Sequence, residues 1–221
     1  MCGRMVQALT PEFVKETLKI RETNIELGQN YNLAPRQMAG IVRLNPKTKV
    51  RALNEAQWWL VPSWAEPDHK FATFNARSEE LANKKMFKGA WEFGRRCLIP
   101  INAYYEWRDE GRIKQPYAIG RKDGNLITLA GLWESRKLEN GDVLRTFTVI
   151  TAEAKDEMSE LHNRIPVMIE EEQWAGWLGE EPIDAKTLLH SPDNNLLTIW
   201  PVNRAVGNVR NNDPVLLEAV Q

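Results

Sequence analysis

The chain opens Met1-Cys2-Gly3-Arg4. A small second residue lets an aminopeptidase remove the initiator methionine, so the mature chain is expected to begin at Cys2. That would place an α-amine and a thiol two carbons apart. The amine titrates near about 7.7–8.0 and the thiol near about 8.5, lower beside a cation such as Arg4. Such a pair could attack an electrophile through sulfur. It could also capture an aldehyde, the amine forming a Schiff base and the thiol closing it to a five-membered thiazolidine. Only an N-terminal cysteine offers the second chemistry. Taken alone, Cys2 is better explained as an accident of sequence.

Other candidates are spread along the chain. Glu106 lies in the aromatic run Tyr104-Tyr105-Glu106-Trp107. On a strand it either points to solvent by period-two alternation or faces a pocket, where burial would raise its pKa and let it move protons near neutrality. His162 titrates in the physiological range, and a lone histidine is also often structural. Asn75 and Arg77 lie two apart, so an extended backbone puts them on one face. Arg204 and Arg210 read as surface arginines. Cys97, in Arg-Arg-Cys-Leu-Ile-Pro, reads as a core residue.

Composition narrows the classes. The 221 residues, 43% hydrophobic and 27% charged, suit one globular domain over 1–221. The sequence contains no apolar run of membrane-spanning length and no basic and apolar leader. Two cysteines make no disulfide framework and point to a reducing cytoplasm. Three scattered histidines with those cysteines show no metal-ligand spacing, so neither metal nor cofactor is expected. Residues 1–121 hold 20 Lys+Arg against 13 Asp+Glu, and residues 122–221 hold 9 against 17. The basic half is able to face an anionic partner. An exposed tryptophan beside arginines would suit stacking on unpaired bases.

The elements that must position these groups are mixed. Thr10-Pro11 predicts a helix start. Residues 28–36 read as loop. Strands are expected at 38–44 and 49–60 around Asn45-Pro46-Lys47-Thr48, at 95–101 and 103–108, at 144–151 and at 196–200. Strands 116–120 and 125–132 are expected to pair across Lys122-Asp123-Gly124. Ser78 should cap a helix running to about 93 and ended by Gly94; shorter helices are expected at 153–161, 170–178 and 184–190. The strand-rich pattern without βαβ alternation predicts an α+β domain.

Read together, Cys2-Gly3-Arg4, Tyr31-Asn32-Leu33-Ala34-Pro35, Trp59-Leu60-Val61-Pro62-Ser63-Trp64, Phe74-Asn75-Ala76-Arg77-Ser78-Glu79, Arg96-Cys97-Leu98-Ile99-Pro100, Tyr105-Glu106-Trp107, Lys114-Gln115-Pro116-Tyr117, Ala130-Gly131-Leu132-Trp133-Glu134, His162-Asn163-Arg164-Ile165-Pro166-Val167 and Val206-Gly207-Asn208-Val209-Arg210-Asn211 resemble, in order, the SRAP family of abasic-site processing proteins. The resemblance spans almost the whole chain. It implies an α+β domain with a barrel-like strand core, flanking short helices and a basic groove. It implies binding of single-stranded DNA carrying an abasic site and covalent capture of the ring-opened aldehyde by the N-terminal cysteine, a shielding role in the DNA damage response. Carried over by motif, Cys2 is the nucleophile, Asn75 orients the sugar, Glu106 handles protons, and His162 assists Schiff-base formation and reversal. Arg4, Arg77 and Arg164 would hold phosphates, Trp64 and Trp107 would wedge or stack, and Asn32 would join the DNA contacts. The protein is expected to act as a monomer.

Three positions depart from the family pattern: Met5 where Phe is usual, Asn163 where Asp is common beside His162, and Asn102-Ala103-Tyr104 before Glu106 where a Gly-aromatic pair is usual. The family name also implies a thiol peptidase acting on its own Met1. Two other readings stand beside these. One is an N-terminal-nucleophile amidase, whose members share Met-Cys-Gly but continue with Ile rather than Arg4. The other is a single-strand DNA-binding module for which Cys2 is dispensable.

Overall fold

Local signals set several elements directly. The Thr10 hydroxyl accepts from the Phe13 N–H at 3.3 Å and Pro11 follows, opening a helix over Pro11–Thr17 (α1). Asn45 Oδ1 accepts from the Lys47 N–H at 3.0 Å, folding the expected turn. The computed structural model describes residues 2–23 and 25–220. Met1, whose removal the sequence predicts, lies outside the described residues.

The strands, in chain order, are Met5–Gln7 (β1), Glu22–Thr23 (β2), Asn30–Leu33 (β3), Met38–Leu44 (β4), Arg51–Trp58 (β5), Asn75–Arg77 (β6), Arg96–Ile101 (β7), Ala103–Asp109 (β8), Lys114–Arg121 (β9), Ile127–Lys137 (β10), Val143–Glu153 (β11), Arg164–Pro166 (β12) and Leu197–Pro201 (β13). Three further helices are Lys85–Glu92 (α2), Asp156–Leu161 (α3) and Trp174–Leu178 (α4). Antiparallel pairing runs β5–β4–β7–β10–β11. β5 then closes the ring by pairing in parallel with β11, Gln57 opposite Thr146 and Trp58 opposite Phe147. The result is the expected α+β domain around a closed five-stranded barrel, filled by Ile41, Trp58, Cys97, Ile99, Leu129 and Phe147. At Gly131 a Cβ would lie 2.8 Å from the Thr148 carbonyl oxygen and 2.9 Å from the Cys97 sulfur, so glycine is needed where β10 and β11 approach.

A second sheet, ordered β13-β9-β8-β1-β3, carries Glu106 on β8 and leads back to the N-terminus through β1. β11 outlasts its pairing with β5 and goes on to join β6 in parallel and β12 antiparallel. The two short strands therefore hang Asn75, Arg77 and Arg164 on the end of one long barrel strand.

Several expectations are corrected. Strands β9 and β10 do not pair across Lys122-Asp123-Gly124: β9 lies between β8 and β13, and β10 between β7 and β11. The turn is there, Gly124 having φ +74°, but it passes the chain from one sheet to the other. Alternation sets a strand's buried face and does not choose its neighbour. Residues 30–33, expected as loop, form β3 against β1. The helix expected from Ser78 breaks into a 3-10 turn at 78–80 and α2, because the Ser78 hydroxyl bonds the Glu79 carboxylate instead of capping. Gly94, at φ +62°, ends α2 as expected. The helices expected at 153–161 and 170–178 shorten to α3 and to a 3-10 turn at 171–173 leading into α4. That at 184–190 is a 3-10 turn over 185–188.

Candidate active site

The pairing of β1 with β8 sets Met5 opposite Tyr104 and Val6 opposite Ala103, and the Tyr105 N–H donates to the Arg4 carbonyl at 2.9 Å. By strand alternation Tyr104 and Glu106 share one face of β8, while Tyr105 and Trp107 share the other. Cys2, fully buried, packs in the barrel-side cluster with Met5 and Tyr104. Met5 is itself fully buried there, so the thioether fills a core position.

Charge and burial then act together. Glu106 is 4% exposed, and burial pushes its carboxyl up to about 7. Burial, and next the nearby Glu106 carboxylate, push the Cys2 thiol up; the Arg4 backbone N–H bonded to the sulfur opposes them. In this state the pair is a neutral thiol beside a carboxyl poised to gain or lose a proton at physiological pH. Burial also pushes the Tyr104 hydroxyl well up, so it stays protonated.

Asn75 opens β6, held opposite Val149 of β11. Its Nδ2 donates to the Cys2 carbonyl at 2.6 Å, and its Oδ1, buried, has no partner among the described residues. That leaves an acceptor beside Cys2. His162 follows α3, whose Met158 and Leu161 pack in the cluster that holds Cys2. Its Nδ1 accepts from the Arg164 N–H at 2.9 Å, which puts the proton of the neutral ring on Nε2. Burial lowers its pKa, favouring that neutral form.

The expected DNA contacts separate into two groups. Arg77 is exposed, with one nitrogen 3.2 Å from Glu80 Oε1. It lines a cleft of about 340 Å³ with Phe71, Phe74, Asn75, Lys84 and Phe87. Trp64 is 48% exposed, with the Lys85 ammonium 4.3 Å from its ring centroid. Arg164 is closer in: its guanidinium grips the Glu79 carboxylate at 2.6 and 3.0 Å and donates to the Thr151 carbonyl at 2.5 Å. That grip, the Arg164 hydrogen bond first, pulls Glu79 down to about 2.

Arg4, Asn32 and Trp107 are placed otherwise. Asn32 is 1% exposed, and its Nδ2 donates to the carbonyls of Val206, Asn208 and Asn211 at 3.2, 3.0 and 3.0 Å. It braces that loop, its amide group buried and engaged. Arg4 donates to Asn32 Oδ1 at 2.9 Å and to the carbonyls of Val206 and Gly207 at 2.6 and 3.2 Å, with its guanidinium 5.8 Å from the half-buried Trp107 ring. Both lie on the face of β8 away from Glu106.

Sequence reasoning missed Lys84, Lys85, Phe71 and the carboxylate partner of Arg164. The Lys84-Lys85 doublet was visible as charge; Phe71, one aromatic in an irregular stretch, carries no pattern.

The fold is an α+β barrel that sets the buried Cys2 thiol near the Glu106 carboxyl of raised pKa, with the Asn75 carboxamide bonded to the Cys2 carbonyl. Residues 1–209 match the family described as SOS response associated peptidase (SRAP), and the chain belongs to that family. It is 32% identical to the abasic site processing protein YedK of Escherichia coli, covering the whole of both chains. It is 31% identical to the abasic site processing protein YoqW of Bacillus subtilis, over 99% of this chain and all of that one. It is 29% identical to the abasic site processing protein HMCES of Xenopus tropicalis, over all of this chain and 78% of that one. A crystal structure of a protein from Bacteroides thetaiotaomicron superposes with a TM-score of 0.83 at 21% identity over the whole of both chains, which shows the shared fold.

Proposed function

We propose that this protein binds single-stranded DNA at abasic sites and joins Cys2 to the ring-opened sugar through a thiazolidine, shielding the lesion. The observation that carries the reading is the convergence of Cys2, the Asn75 carboxamide and the Glu106 carboxyl. The family membership and the names of the relatives support the substrate.

Met1 must leave first, because its peptide bond makes the Cys2 nitrogen an unreactive amide. The freed amine adds to C1 of the open sugar, and loss of water gives an imine. The thiol then adds across C=N: the C–S bond forms at the former aldehyde carbon and the thiol proton ends on nitrogen. Glu106, titrating near neutrality, moves that proton; Asn75 Oδ1 accepts from a sugar hydroxyl; neutral His162 presents Nε2–H to the Schiff-base steps and their reversal. Arg77, with Lys84 beside it, meets the backbone phosphates, and Trp64 offers an aromatic face to an unpaired base. Arg164 adds to the phosphate field beside His162. Two free cysteines fit a monomer working in a reducing cytoplasm. Removal of Met1 by the protein's own thiol is the peptidase activity we attach to this site.

The test is incubation of the mature protein with abasic single-stranded DNA, followed by a denaturing gel without reductant. A durable adduct is expected from the parent. Cys2→Ala keeps the amine and should give only an imine seen after borohydride trapping. A tag ahead of Met1 keeps the thiol, blocks the amine and should abolish both. A durable adduct from Cys2→Ala or from the blocked chain refutes the thiazolidine. No adduct from any form favours an amidase or a simple strand-binding module.

A further inference from the structure

We propose that Asn32 and the Arg4 side chain form, with the loop 203–212, a lock that aims the nucleophile, making Asn32 a positioning residue for the reaction. The inference rests on the function proposed above.

Residues 2–4 precede β1, and Cys2 is buried in the cluster that also holds Met5 and Tyr104. Between Cys2 and Arg4 stands Gly3, the residue type that constrains the backbone least. A nucleophile placed beyond a swivel keeps its aim only if the residue after the swivel is fixed. Arg4 is that residue, two positions from Cys2 along the chain.

Arg4 is fixed from both ends. Its carbonyl accepts from Tyr105 N–H in β8 at 2.9 Å. Its guanidinium donates to Asn32 Oδ1 and to the carbonyls of Val206 and Gly207. Asn32 closes the circuit by donating to three carbonyls of the same loop, among them that of Val206, which it shares with Arg4. The loop is stiffened in turn: Asn203 Oδ1 accepts from Ala205 N–H at 2.9 Å, Asn211 Nδ2 donates to Ala205 O at 2.8 Å, and Asn212 Oδ1 accepts from Tyr31 N–H at 2.7 Å. Val206 anchors it in the core beside Val6 and Tyr105. The lock thus ties residues about 200 positions apart to the backbone that carries the thiol. Guanidinium-to-carbonyl bonds need a planar fork, which arginine has and lysine lacks.

Crosslinking at saturating abasic strand, affinity for an intact strand, and amide exchange at Tyr105 test this. Asn32→Ala should lower the saturating crosslinking rate at least tenfold, leave affinity for the intact strand within twofold, and speed exchange of the Tyr105 amide. Should Asn32→Ala fail to fold, Arg4→Lys, which keeps the charge and loses the fork, takes its place with the same readouts. An unchanged rate per folded molecule overturns the lock. So does a loss of intact-strand affinity with the saturating rate preserved, which would make Asn32 a DNA contact. A parent that forms no adduct sinks the proposed function instead, and the exchange measurement still decides whether the lock exists.

Discussion

Glu106 and Glu79 are the same side chain treated in opposite ways. Glu106, inside the second sheet, is almost wholly buried and held up at about 7. Glu79, on the turn after β6, is half exposed, gripped by both nitrogens of the Arg164 fork, and held down at about 2. Desolvation sets the first and a charge-assisted bidentate bond the second. The contrast separates two tasks within one site. A carboxyl near 7 exchanges protons at physiological pH, whereas one near 2 serves as a fixed negative charge. That fixed charge holds the Arg164 guanidinium by two hydrogen bonds.

The largest test of this contrast removes the titrating group. Glu106→Gln should cut the crosslinking rate by about 10²–10⁴, the usual range for positioned acid–base groups, with strand affinity retained. The parental rate should change through pH about 7, and this inflection should vanish in the variant. The same residue makes a stability prediction. Its pKa is raised on folding, so between pH about 4.5 and about 7 the native state keeps a proton that the unfolded chain has lost. Stability should therefore fall as pH rises across that window, by on the order of 3 kcal/mol in total. Denaturant melts at pH 4.5, 6 and 8 measure this, and Glu106→Gln should flatten the trend. A parental profile without slope would mean that Glu106 ionises normally.

Next in size is the strand affinity. Arg77→Ala should weaken intact and abasic strands alike and reduce the salt slope by about 0.7, the share of one phosphate on a single strand. Glu79→Gln should act in the opposite direction: with Arg164 released, affinity should rise and the slope steepen by a similar amount. Its stability cost should be small, ~1 kcal/mol or less, because the Glu79 carboxylate is about half exposed. That contribution is present above the unfolded carboxyl pKa of about 4.5 and lost as pH falls towards about 2. Fluorescence anisotropy over a salt series reads both variants, and a weaker-binding Glu79→Gln would show that Arg164 needs its carboxylate to face DNA. The smallest effect is expected from Asn163→Asp. The side chain is exposed, so a charge there should change the reversal rate by less than about fivefold and leave adduct formation unaltered.

How much of this could be read from the sequence differs from residue to residue. Cys2 was legible because its chemistry follows from its position in the chain. Glu106 was visible only as an alternative, since alternation allows either face and burial alone decides between them. The β4–β5 turn and the Thr10 cap were legible because their partners lie within a few residues. The parallel closure of β5 on β11 was not, nor the transfer of the chain between sheets at Gly124, because no local pattern names a strand's neighbour. Arg4 and Asn32 show the limit most clearly. Their types suited phosphate contact, and the motif grouped them with the DNA-facing residues. The fold brings the carbonyls of 206–211 to them from the far end of the chain and occupies both side chains. The sequence by itself determined the family and the α+β class, since these depend on residue identity and local order. Which groups are buried, which carboxyl keeps its proton and which arginine is left to meet a phosphate were decided by the tertiary structure, because desolvation and hydrogen-bond partners arise only when distant segments are packed together.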